Sequence, residues 1–142
     1  MKFNESLNNK LVAAMLLLTT IFASSGAYAL SDDKVVTKAR QSVEEAGPDD
    51  WQTYAKAAEM CIQKSVNMKE AAKWLDHSLE IKETPLNLRV KGDYYLKNRL
   101  PRKAINYYIK SMDAARKIDF YFDASDLQRR IAKAKKMQKK LV

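Results

Sequence analysis

Cysteine, histidine, glycine and proline are all scarce in this chain of 142 residues, and each scarcity excludes something. A single cysteine, Cys61, rules out an internal disulfide framework and a cysteine-rich zinc site. One histidine, His77, rules out a multi-histidine metal centre. Three glycines and three prolines are too few for the many tight turns of a sandwich or barrel. No Walker or dinucleotide glycine motif occurs, and no calcium loop with its glycine and distal glutamate. What is present is 46% hydrophobic and 30% charged residues, the balance of one packed domain and not of a disordered chain. The charge leans to one sign, with 26 lysines and arginines against 17 acids.

The first residues read as an address. Met1 to Lys10 is polar and carries Lys2 and Lys10, an uncharged run follows from Leu11 to Ala23, and Ser24-Ser25-Gly26-Ala27-Tyr28-Ala29 closes in an A-x-A pattern. Those zones in that order predict a secretory signal peptide over 1–29, cleaved after Ala29 and delivering the chain to the periplasm or the exterior of a bacterial envelope. The alternative is a retained membrane anchor, although the apolar run is short for a layer that needs about 20 residues. In an oxidising compartment Cys61 is expected as a lone, buried structural thiol.

Beyond residue 30 the apolar positions recur at helical spacing, and no segment asks to be a strand. The prediction is an all-α fold of six helices. Val35, Ala39 and Val43 mark the first, which stops at Gly47-Pro48. Asp50 caps a second carrying Trp51, Tyr54, Ala55, Ala58 and Ile62. Asn67 with Glu70 suggests a capping box for the third, and Thr84-Pro85 and Pro101 start the fourth and fifth. Asp123, with Phe122 before it and Leu127 four residues later, suggests a capped and stapled sixth. Short connections imply antiparallel hairpins.

Two of these hairpins repeat. Ala71-x3-Leu75-x2-Ser78-Leu79 matches Ala104-x3-Tyr108-x2-Ser111-Met112, 33 residues on. Leu88-x2-Lys91-Gly92-x2-Tyr95 precedes the second copy, and Trp51-x2-Tyr54-Ala55-x2-Ala58 is read as its counterpart, with a connection one turn longer. Small residues at Ala55, Ala71, Gly92 and Ala104 let helices approach, and Trp51, Leu75, Tyr95 and Tyr108 fill the gaps. Over 50–117 this resembles the tetratricopeptide-repeat (TPR) family, whose period is 34 residues. Lys91 and Leu88 depart from its pattern, and neither copy has the closing proline. The stretch from Trp74 to Lys91 is also similar to the helical C-terminal tails of some secreted bacterial proteins, and that likeness brings no catalytic residue with it.

The resemblance implies a short helix-hairpin solenoid. Residues 30–48 would form a flanking helix, 49–118 two repeats and 119–142 a basic capping helix. It also implies a concave, partly basic groove that takes a protein or peptide partner, acidic in character. Its lining would be Lys56, Met60, Gln63 and Lys64 from the first copy and Arg89, Asp93, Leu96 and Lys97 from the second, with lysine and arginine gripping carboxylates. An ordinary solvated helix face is the plainer reading of the same residues. A second candidate surface is the last helix, where Arg129, Arg130, Lys133, Lys136 and Lys140 could attract an anionic membrane. Nucleic acid is disfavoured for an exported chain, and a solvated helix end accounts for the same lysines. Phe120-Tyr121-Phe122 is expected to pack the last connection onto the stack. The reading is non-enzymatic and without a cofactor or metal: Cys61 and His77 could pair as nucleophile and base, but no second histidine, glycine-rich elbow or oxyanion motif accompanies them.

Overall fold

A computed structural model describes residues 33–141. The expected signal peptide over 1–29 lies outside the described residues. The chain divides after Lys34, and the packed helices belong to the unit from Val35 onward. The regular structure of that unit is helical throughout, so the all-α expectation holds. The helices are α1 (33–44), α2 (Trp51–Lys64), α3 (Met68–Ile81), α4 (Pro85–Lys97), α5 (Pro101–Ile118) and α6 (Ser125–Lys140). None among the described residues is long and apolar enough to cross a membrane.

Local chemistry sets most of the boundaries. Asp50 accepts a hydrogen bond from the Thr53 amide at 3.1 Å and starts α2. Ser65 ends it in the left-handed region at φ 59°, its amide turned back to Cys61 and Ile62 carbonyls. Thr84 and Asn87 cap α4 reciprocally: the Asn87 amide donates to Thr84 Oγ1 at 3.3 Å and the Thr84 amide to Asn87 Oδ1 at 2.8 Å. Pro85 and Pro101 occupy first helical positions, where no amide is needed. Two caps differ from expectation. Asn67 stands before α3 with φ 46° and makes no capping bond, because its amide group donates instead to the Glu70 carboxylate at 2.9 Å. Asp123 sits one residue too early to cap α6; it accepts from the Ser125 amide and hydroxyl, each at 2.9 Å.

Three-residue links (65–67, 82–84, 98–100) fold each helix back on the last. α2 packs on α3, α4 on α5, and α5 on α6, while α4 also touches α2 and α3. The first pair shares a core with α1 and with Val90 of α4, made otherwise of Ala39, Ala57, Ala58, Cys61, Ile62, Ala71 and Leu75. The second pair and α6 share another, made of Leu96, Ala104, Tyr108, Leu127 and Ala134. The same hydrogen bond locks both pairs. Ser78 Oγ donates to the carbonyl of Trp51, and Ser111 Oγ to that of Pro85, each at 2.7 Å and each joining the eleventh residue of a second helix to the first residue of the helix before it.

That correspondence corrects the register read from sequence. The links after α2 and α4 are equal, not one turn different, so Trp51 corresponds to Pro85 and Ala58, not Ala55, to Gly92. Gly92 has a demanding reason to be glycine: an added Cβ would collide with Cε1 and Cδ1 of the buried Tyr108 ring. Phe120-Tyr121-Phe122 also departs from expectation. Phe122 packs on the second core, but Phe120 is 84% and Tyr121 89% exposed. The carboxylate of Asp119 accepts the Tyr121 amide at 2.9 Å and turns the link outward there.

Candidate functional site

Asp93, in the middle of α4, organises a cleft between the helices. It receives a 2.9 Å hydrogen bond from Arg89 Nη1, one turn earlier on the same helix. Arg130 of α6 reaches it at 2.6 Å, and the Tyr108 hydroxyl donates to it at 2.8 Å from α5. The chain of pairs continues both ways, from Arg89 to Glu59 at 2.6 Å and from Arg130 to Asp126 at 2.7 Å, with Arg129 on Asp126 at 3.2 Å. Three carboxylates alternate with three guanidinium groups. Charge is therefore balanced inside the network, and α2, α4, α5 and α6 are tied together by it.

Titration follows the same geometry. Burial lifts the Tyr108 hydroxyl well above its ordinary range, and the neighbouring Asp93 charge adds to the effect. Burial works against the Arg130 charge, but hydrogen bonds to Asp126 and the charge of Asp93 outweigh it and keep the guanidinium ionised. The hydrogen bond from Arg130 likewise holds Asp126 below the usual carboxylate range.

Beside this network lies a cleft of about 580 Å³. Ile62, Leu96 and Met137 give it apolar walls, and Lys97, Arg99, Arg129, Arg130 and Lys133 bring cations to it. Arg129 and Arg130 are already paired. Lys97 is partly engaged at the end of α2, where its ammonium donates to the Gln63 carbonyl at 3.0 Å and to Ser65 Oγ at 2.9 Å. The side chains of Arg99 and Lys133 make no hydrogen bond or ion pair with any described residue. Asp93, the one acid in the lining, is neutralised by two arginines. The cleft therefore presents net positive charge over an apolar wall, an arrangement that binds anionic groups attached to an apolar body.

The two residue sets singled out from sequence partly converge here. Gln63, Asp93, Leu96 and Lys97 line the cleft, and so do Arg129, Arg130 and Lys133 from the last helix. Lys56, Lys64, Lys136 and Lys140 are exposed elsewhere, and Met60 packs on the first core. Arg89 is already engaged: its Nη1 donates to Asp93 and its Nη2 to Glu59, so an incoming carboxylate would share it with two acids. Sequence reasoning missed Arg99, which stands in the link after α4 at φ 59°. Helical periodicity carries no signal for a link residue.

Cys61 is buried in the first core, its thiol pushed up by burial and then by the charge of Glu70. His77 lies on α3, edge-on to Tyr54 with ring centroids 4.5 Å apart. Among the described residues no group of three or more histidine, cysteine or acidic side chains is placed to hold a metal ion. Comparison with known families, characterised proteins and solved structures returned no match.

Proposed function

We propose that this chain is an exported helical-repeat module of the tetratricopeptide type, a scaffolding element that binds an acidic segment of a partner protein in the cleft between α2, α4 and α6. The repeat reading is supported by the paired Ser78–Trp51 and Ser111–Pro85 bonds and by the collision that forces Gly92 against Tyr108. Export to the periplasm or beyond is supported by the polar, apolar and small-residue zones ending at Ala29. It predicts an N-terminus at Leu30 when the exported protein is sequenced.

One observation carries the binding reading: after every internal ion pair is formed, Arg99 and Lys133 remain turned to an apolar-walled cleft with Lys97 beside them. A carboxylate arriving there displaces no protein partner, and apolar side chains next to it can meet Leu96 and Met137. Fluorescence anisotropy with a labelled peptide of mixed glutamate, aspartate and leucine tests this. The Arg99→Glu/Lys133→Glu variant should bind at least about tenfold more weakly, since each charge-assisted contact contributes on the order of 1.5–3 kcal/mol. Equal affinity for the two proteins would remove the cleft from the account.

A further inference from the structure

Among the described residues the exposed large apolar side chains gather at the two ends of α5, with Ile109, 41% exposed, between them, and the two ends differ in charge. At its start Leu100 is 43% exposed and meets Leu141, 46% exposed, across a shallow hollow of about 370 Å³. Arg99, Arg102 and Lys103 line that hollow, and no acid does. The sequence extends the contrast. Residues 94–112 and 127–142, the stretches of sequence that contain these side chains, have no aspartate or glutamate. At the far end of α5, about 27 Å away for 18 helical residues, Ile118, Phe120 and Tyr121 are exposed among charges of both signs, Asp113, Asp119, Asp123 and Asp126 together with Lys110, Arg116 and Lys117.

We propose that the start of α5, together with the last turn of α6, is a docking surface for an anionic lipid bilayer. Leu100 and Leu141 enter the headgroup boundary there, while Arg99, Arg102 and Lys103 meet lipid phosphates. Apolar tips in a cationic ring match the two attractions such a surface offers, burial of hydrocarbon and charge neutralisation. Arg102 has no partner among the described residues, and Lys103 only lies over the Tyr95 ring at 5.4 Å, so neither must give up an ion pair to bind. The aromatic end lacks this uniform sign, its cations being interspersed with acids. Phe120 and Tyr121 suit an interface, but Asp119 and Asp123 would be pushed from a negative one.

The test reads contact at the surface itself, so that anchoring by residues 1–29 does not count as support. In the full chain, Leu141→Cys or Tyr121→Cys is labelled with an environment-sensitive dye, and quenching by aqueous iodide is followed as vesicles are added. With phosphatidylglycerol in the vesicles the label at 141 should become protected; with phosphatidylcholine alone it should stay quenched. The label at 121 should stay quenched on both. Adding Leu100→Asp/Arg102→Glu to Leu141→Cys should shift protection to at least about tenfold more anionic lipid. Circular dichroism checks that this variant is folded, and Arg102 lies outside the peptide cleft, so loss here leaves peptide binding intact. A label at 141 that stays quenched on anionic vesicles, or equal protection at 121, overturns the proposal.

Discussion

The two helix pairs close in the same way and are filled differently. In the first, Ala57, Ala58, Cys61, Ile62 and Leu75 meet Ala39 of α1 and leave an apolar interior. In the second, the ring of Tyr108 fills the space over Gly92, and its hydroxyl ends on a carboxylate that two arginines share. The serine-to-carbonyl bond is common to both. The shared bond sets the pairing of helices, and the filling decides which pair can present charge to a ligand. A polar group placed at the crossing, as Asp93 is, must be satisfied from neighbouring helices. Arg130 supplies that need and draws α6 against the cleft it borders.

The comparison can be broken most severely at Tyr108. Tyr108→Ala removes a fully buried ring and should lower stability by about 3–5 kcal/mol in urea unfolding. Asp93→Ala comes next. It removes the acceptor shared by Arg89, Arg130 and the Tyr108 hydroxyl, leaving each arginine one other carboxylate, and should cost about 1–3 kcal/mol. Ser78→Ala and Ser111→Ala sharpen the likeness instead of the difference. Ser111→Ala breaks one 2.7 Å bond to a carbonyl and should cost about 1–2 kcal/mol; Ser78→Ala breaks its counterpart and also the 3.0 Å bond that Asn87 Nδ2 donates to Ser78 Oγ, so it should cost at least as much. A smaller loss at Ser78 than at Ser111 would mean that the pairs are not locked alike.

The pairs should also differ in which extreme of pH weakens them, though by less. Hydrogen bonds from Arg40 and then Asn67 hold Glu70, in the first pair, at about 2, against an ordinary 4.5. A lowered folded value means the stabilisation is present above pH 4.5 and is lost as the pH falls toward 2. Both side chains are substantially exposed, so the effect is at most about 1 kcal/mol, and Glu70→Gln should remove that part of the acid sensitivity. Tyr108, in the second pair, is raised above its ordinary 10. Its contribution is intact below pH 10 and is lost as the pH rises beyond it. Unfolding curves across both ranges check the two signs.

Much of this architecture was legible in the sequence because it rests on local signals. Asp50, Thr84-Pro85 and Pro101 announce helix starts through capping and proline geometry, and Ala71, Ala104 and Gly92 mark close crossings. The register of the first pair was misread because Trp51 and Tyr54 imitate a motif that the equal links place elsewhere. The site was less legible for a different reason. Arg89 and Glu59 are 30 residues apart, Arg130 and Asp93 37, and no spacing rule foretells such pairing across helices. Which cations are spent internally and which are left over is decided only in the folded chain. Phe120 and Tyr121 were misplaced because aromatic residues are usually buried, whereas here the Asp119 turn directs them outward.

The claim on which the rest stands is that position, and not surplus charge, makes Arg99 and Lys133 the groove's grip. Two double reversals with the same change in net charge decide it directly: Arg99→Glu/Lys133→Glu inside the cleft, and Lys135→Glu/Lys139→Glu on the outer side of α6. Titrated with the same acidic peptide at physiological salt, the first should lose at least about tenfold in affinity and the second less than about threefold, because charges beyond about 8 Å are screened. Equal losses from both would contradict the account and reduce the cleft to one part of a generally positive surface.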